Sequence, residues 1–101
     1  MLVYEKKRDV LIVRLAGDLD DRTAGELRRE IDALISDTGV RRLLFDMREL
    51  RFMDSSGIGL IIGRYKRMRG RGGSVAVYGL DERMDKIFSM AGLYRLVERL
   101  A

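Results

Sequence analysis

The chain alternates between unbroken apolar runs and segments whose apolar residues recur every three or four positions. "VLIVRLAGDLD" is near-continuous, β-branched and closed by a glycine turn, so Val10 to Ala16 predicts a buried strand. "LVYEKK" ahead of it, joined by the charged link "RD", predicts an edge strand paired with it as a hairpin. In "DDRTAGELRREIDALISDTG", Ala24, Leu27, Ile31, Leu34 and Ile35 share one helical face. Asp20 or Thr23 can cap this helix, Thr23 and Glu26 having capping-box spacing, and Gly39 marks its end. "VRRLLFDM" predicts a second core strand, and "RELRFM" after it reads as a loop.

The next segment, "FMDSSGIGLIIGRYK", is interrupted by an acid, two serines and a glycine before it turns apolar. Ile58, Ile61, Ile62 and Tyr65 follow helical spacing, Leu60 adds a second apolar side, and Gly70, Gly72 and Gly73 end the element. "SVAVYG" predicts a third core strand. "DERMDKIFSMAG" places Met84, Ile87, Phe88 and Ala91 at helical spacing, with Asp81 as cap and Gly92 as stop. Met84 and Phe88 are assigned to the core, and Met90, off that face, is expected to be exposed. "LYRLVERLA" reads as a strand or a helical turn, and the pattern does not decide between them. The order predicts a single α/β domain over 1–101, with a mixed, largely parallel sheet packed by helices.

Length and composition agree with one folded domain: 101 residues, 47% apolar and 36% charged. The longest uncharged run, Ser55 to Gly63, is far short of the ~20 residues a membrane span needs. No secretory signal is expected, because "EKKRD" follows the first apolar segment, and the expected location is cytoplasmic. Without cysteine there is no disulfide or thiolate metal site, and without histidine no Ser-His-Asp triad or histidine zinc site. No catalytic or metal site is expected. The net charge of +4 raises nucleic-acid binding, yet the bases are mostly interleaved with acids. Only "RYKRMRGR", Arg64 to Arg71, lacks acids. The favoured reading is a solvated, dipole-complementing helix end, since no aromatic-rich strand accompanies it to stack bases.

Ser55 and Ser56 fall in the first turn of the second helix, where backbone N–H groups lack intrahelical partners. Asp54 or Ser55 can cap that turn. This leaves the second hydroxyl unexplained, and Gly57 beside it is expected to leave Ser56 unshielded. A helix start tolerates an added anion, so an exposed serine there can accept a phosphate without disrupting the fold. Capping alone and a phosphorylation switch at Ser56 both remain open on these grounds.

"FMDSSGIGLIIGRYK", with "LAGDLD" before the first helix, "LLFDMRELRFMDSSGIG" through the centre and "MDKIFSMAGLYRLV" near the end, resembles the STAS domain. It is especially similar to the bacterial anti-sigma-factor antagonists. "GRYK" and the following glycine pair look most like their sporulation branch. The resemblance implies a small α/β sandwich and phosphorylation of the hydroxyl directly before the motif's first glycine, here Ser56, with Ser55 as its structural neighbour. It implies a partner that is both anti-sigma factor and ATP-dependent serine kinase, and a phosphatase that reverses the modification. ATP and ADP would belong to the kinase, and this chain would hold no cofactor, metal, nucleic acid or membrane and be monomeric when free. Asp20, Asp54, Ser55, Gly57, Ile58 and Gly59 are the expected partner-binding residues. Gly57 and Gly59 would permit close backbone approach; for Gly63, four residues on from Gly59, tight helix–sheet packing is preferred.

Three rivals compete. A receiver-like domain would use Asp46, at the end of an apolar strand, as phosphoacceptor, but the acids for magnesium and the expected lysine are missing. A dinucleotide-binding enzyme would use Gly57, Gly59 and Gly63, but "RFMD" makes a poor preceding strand and Tyr78 stands where an acid belongs. A nucleic-acid module would use Arg67 and Arg69 of the basic run.

Overall fold

A computed structural model describes residues 2–100. The elements are β1 (Leu2–Lys7), β2 (Val10–Leu19), α1 (Ala24–Ile35), β3 (Arg42–Met53), α2 (Ser55–Gly70), β4 (Ser74–Tyr78), α3 (Glu82–Met90) and β5 (Glu98–Arg99). Five strands form one sheet in sequence order, β1 antiparallel to β2 and all later neighbours parallel. Each parallel crossover carries a helix, as such connections require. The mixed, largely parallel α/β fold expected from the pattern is the fold observed.

Strand periodicity assigns the two faces of the sheet. Leu11, Val13 and Leu15 on β2, Leu43 and Phe45 on β3, and Val75 and Val77 on β4 are buried in one core. Leu27, Ile31 and Ile35 of α1, Leu60, Ile61 and Met68 of α2, and Met84 and Phe88 of α3 join them. Among the alternate residues, Ile12, Arg14, Arg42 and Leu44 are only partly covered or exposed, whereas Asp46 and Ala76 are buried.

Four boundaries differ from expectation. Gly17 does not end β2: at φ +82° it sits in an irregular stretch where pairing with β3 shifts register twice, and the strand runs on to Leu19. "RELRFM" is not a loop but the second half of β3, with Leu50 opposite Gly17 and Met53 opposite Leu19. Its exposed Arg48, Glu49 and Arg51 break strict alternation across the bulge, which disguises a strand as a charged loop. α1 ends at Ile35 rather than near Gly39, where Ser36 Oγ turns back onto the Ala33 carbonyl and Asp37 accepts from the Gly39 amide. The C-terminal segment is both turn and strand: a 3₁₀ turn at Leu93–Arg95, then β5. The α3 expectations hold, with Asp81 accepting from Met84 N at 2.8 Å, Gly92 left-handed at the stop and Met90 78% exposed.

Candidate functional site

The long β2 and β3 end side by side, because Leu19 pairs with Met53 and the Asp54 amide donates to the Leu19 carbonyl at 3.2 Å. The two acids that follow, Asp20 and Asp54, therefore start neighbouring turns at one end of the sheet. This is where ligands and partners of parallel sheets commonly meet the fold.

Asp20 is buried and shapes the first turn. Its carboxylate accepts from the Arg22 amide at 3.0 Å, the Thr23 amide at 3.2 Å and the Arg22 guanidinium at 3.0 Å. The Arg22 side chain is the main reason its carboxyl is held below the usual range. Thr23 makes no side-chain cap to α1, so the expected capping box does not form; its hydroxyl instead accepts from Asp20 N and donates to the Asp18 carbonyl.

Asp54 is the cap of α2, its Oδ1 accepting from Ser56 N at 2.8 Å and its carbonyl from Gly57 N at 3.0 Å. Ser55 is thus not the cap; it is an exposed first residue of the helix. Ser56 is half-buried at the same turn. Gly57 does not serve to uncover it. It is buried and faces inward, where an added Cβ would lie 2.4 Å from Met53 Cγ. Gly57 and Asp20, both expected at the partner interface, are buried and shape the two turns from beneath. Ile58 packs partly against the core, and Gly59 is exposed. Gly59 and Gly63 have no atom within 4 Å of where a Cβ would stand, so tight helix–sheet packing is not what Gly63 provides.

Ser56 opens into a groove of about 370 Å³ between α1 and α2, walled by Gly25, Arg28, Gly59, Gly63 and Arg64. Sequence reasoning missed Gly25, Arg28 and Arg64 here. Arg64 had a signal: Gly57, Leu60, Arg64 and Met68 recur at helical spacing and form the buried side of α2. Arg64 is 6% exposed, and its Nε and Arg67 Nη1 both lie 2.9 Å from Asp32 Oδ1 on α1. Arg71 donates to the Asp37 and Val40 carbonyls. The basic run is therefore not one solvated face: Arg64, Arg67, Met68 and Arg71 are committed within the fold.

Asp46 is also committed. It has no exposed surface and accepts from Arg14 Nε at 3.1 Å and from Arg48 Nε and Nη2 at 3.0 and 2.9 Å. Burial alone would raise its pKa, but the hydrogen bonds from Arg48, Tyr78 and Arg14 prevail and hold it well below the usual carboxylate range. A phosphoacceptor aspartate must be open to a donor and beside a cation site. Asp46 is sealed, and no metal-holding acid cluster occurs among the described residues.

The fold and site define a small α/β domain whose distinguishing chemistry is a pair of hydroxyls on an acid-capped helix start, beside a cationic groove. The STAS domain family matches residues 1–101, and the chain belongs to that family. The anti-sigma F factor antagonist of Paenibacillus polymyxa is 38% identical over 93 residues, 92% of this chain and 80% of the relative. The unphosphorylated anti-sigma factor antagonist SpoIIAA is similar at TM-score 0.81 and 25% identity, covering 100% of this chain and 88% of the other. The phosphorylated Bacillus cell fate determinant SpoIIAA is similar at TM-score 0.79 and 27% identity, covering 100% and 92%.

Proposed function

We propose that this protein is an anti-sigma-factor antagonist whose activity is set by phosphorylation of Ser56. The observation that carries the reading is the α2 start: Ser56 opens to the groove while its amide is fixed by Asp54 at 2.8 Å. Its likeness to antagonists with both an unphosphorylated and a phosphorylated form supports the assignment. The unphosphorylated chain binds an anti-sigma factor and frees a sigma factor, in the manner of the sporulation antagonists. That partner is also a serine kinase and brings its own ATP. Ser56 Oγ bonds to the γ-phosphorus, the β–γ bridging P–O bond breaks, ADP leaves, and the hydroxyl proton passes to a base of the kinase. A phosphatase hydrolyses the ester and restores binding. The chain acts as a cytoplasmic monomer and as a substrate, not an enzyme; no helix among the described residues is long and apolar enough to cross a membrane.

Incubation with ATP and host lysate, followed by peptide mass spectrometry, tests the switch. Phosphate on Ser56 that disappears in Ser56→Ala supports it. Phosphate on Ser55, or none on either serine, overturns it.

A further inference from the structure

The α1–α2 groove carries more positive charge than the fold itself uses. Arg28 from α1 and Arg64 from α2 both wall it, and Arg67 of α2 shares the Asp32 carboxylate with Arg64. Asp32 is the acid that answers them, and it already meets Arg64 and Arg67 at 2.9 Å. Those contacts are close but not aligned as hydrogen bonds, and Arg64 Nη1 is buried with no hydrogen-bond partner. Asp32 supplies a counter-charge at Nε, but a desolvated guanidinium nitrogen without a hydrogen-bond acceptor is costly, and Nη1 is left free to take one. Burial is the chief cause of the lowered Arg64 pKa; Asp32 opposes it, and Arg67 and Arg28 push the same way as burial.

The other acids near the groove are occupied: Asp54 holds the Ser56 amide and Asp20 holds Arg22. The glycines leave room, since nothing stands within 4 Å of a Cβ at Gly59 or Gly63. Ser56 is the hydroxyl that shares this wall.

We propose that the groove is a phosphomonoester site that receives the phosphate of Ser56 in cis, with Arg28 closing over it and Arg64 as a buried counter-charge. This deepens the phosphorylation reading and rests on it. Arg28 is a positioning residue: it touches the phosphate once formed and takes no part in its transfer. The modification then fills a groove on the face presented to the partner and replaces a cationic surface with a neutralised one. An arginine cluster facing a phosphoserine is the arrangement that orders such a group.

The test needs no kinase. Phosphoserine is installed at position 56 of the full chain during translation, and its second ionisation is followed by phosphorus NMR. Arg28 is exposed, so Arg28→Gln will fold even if Arg64 variants do not. The phosphate should ionise at least ~0.5 pH unit below the ordinary value of about 6, return toward it in Arg28→Gln, and be partly rescued by Arg28→Lys. An ionisation unmoved by Arg28→Gln overturns the proposal. A second arm adds inorganic phosphate and follows the arginine Nε resonances. It should shift Arg28 and Arg64 in the unphosphorylated chain and leave the phosphorylated chain unaffected. Equal binding by both forms overturns capture in cis. If lysate labelling fails while these shifts appear, the groove stands and the kinase reading falls.

Discussion

Gly57 lies directly against Met53: a Cβ on the glycine would fall 2.4 Å from Met53 Cγ, 2.7 Å from its sulfur and 3.0 Å from Leu19 Cδ2. The start of α2 can approach the paired ends of β2 and β3 only because no side chain intervenes. Gly57→Ala gains up to ~1 kcal/mol of helix propensity but overpacks at a cost of ~1–3 kcal/mol, so the net effect is loss of stability. Gly63→Ala gains the propensity without the clash and should stabilise by ~0.5–1 kcal/mol. Urea midpoints of the two variants should move in opposite directions, and a shared direction would contradict this account of the helix.

Asp46 makes the domain acid-sensitive. Its folded pKa is depressed below the unfolded value of about 3.9, so its contribution is present above that value and lost as pH falls through it toward the lower folded value. Wild-type stability should therefore hold above about pH 4 and fall progressively as the pH drops below it toward the depressed folded value. Asp46→Asn should cost ~1.5–3 kcal/mol at neutral pH through weakened hydrogen bonds to Arg14 and Arg48, and should flatten the acid limb. A variant with the wild-type slope would show that other carboxylates carry the transition.

The elements that packing alone determines were legible in the sequence. The α1 stripe, the α3 stripe with its Asp81 cap, and the three core strands follow from periodicity, because each has one face in water and one in the core. What escaped depends on contacts between distant segments. The second half of β3 is a strand because Leu50 and Met53 find Gly17 and Leu19 across a bulge, and its local composition resembles a loop. Arg64 reads as part of a basic tail until Asp32, about a third of the chain away, is placed beside it. Gly57 and Gly63 look alike in sequence, and only the neighbours of the missing Cβ separate a packing requirement from open space. Ser56 is singled out as a candidate by its motif, while Arg28, which lines the same groove, carries no local signal.

The Asp32–Arg64 pair predicts an asymmetric response. Asp32→Asn leaves Arg64 buried without a carboxylate, and breaking one side of a buried pair costs up to ~3–5 kcal/mol. Asp32 is partly exposed, so a loss nearer ~2 kcal/mol is expected by this rule. Adding Arg64→Met to Asp32→Asn removes the orphaned charge and keeps the buried stem, so most of the loss should return. A double-mutant cycle by chemical denaturation measures this. Simple additivity of the two substitutions would mean that Arg64 is solvated in solution.

The last prediction separates the three residues at the start of α2. Asp54 Oδ1 accepts from Ser56 N and the Asp54 carbonyl accepts from Gly57 N, so Asp54→Ala should cost ~0.5–2 kcal/mol through loss of the cap. Ser55 is exposed and does not cap the helix, so Ser55→Ala should change stability by no more than ~0.5 kcal/mol. Ser56→Ala should be equally mild, because what fixes the turn is the residue's amide, which alanine keeps. The two serines then differ in modification: label is lost in Ser56→Ala and retained in Ser55→Ala. Asp54→Ala should also slow labelling, since it frees the amide that orients the acceptor. Thermal melts and labelling rates on the same three proteins provide both readings. A Ser55→Ala melt depressed as far as that of Asp54→Ala would show that the serine shares the cap, and labelling as fast in Asp54→Ala as in the wild type would show that the acceptor needs no fixed turn.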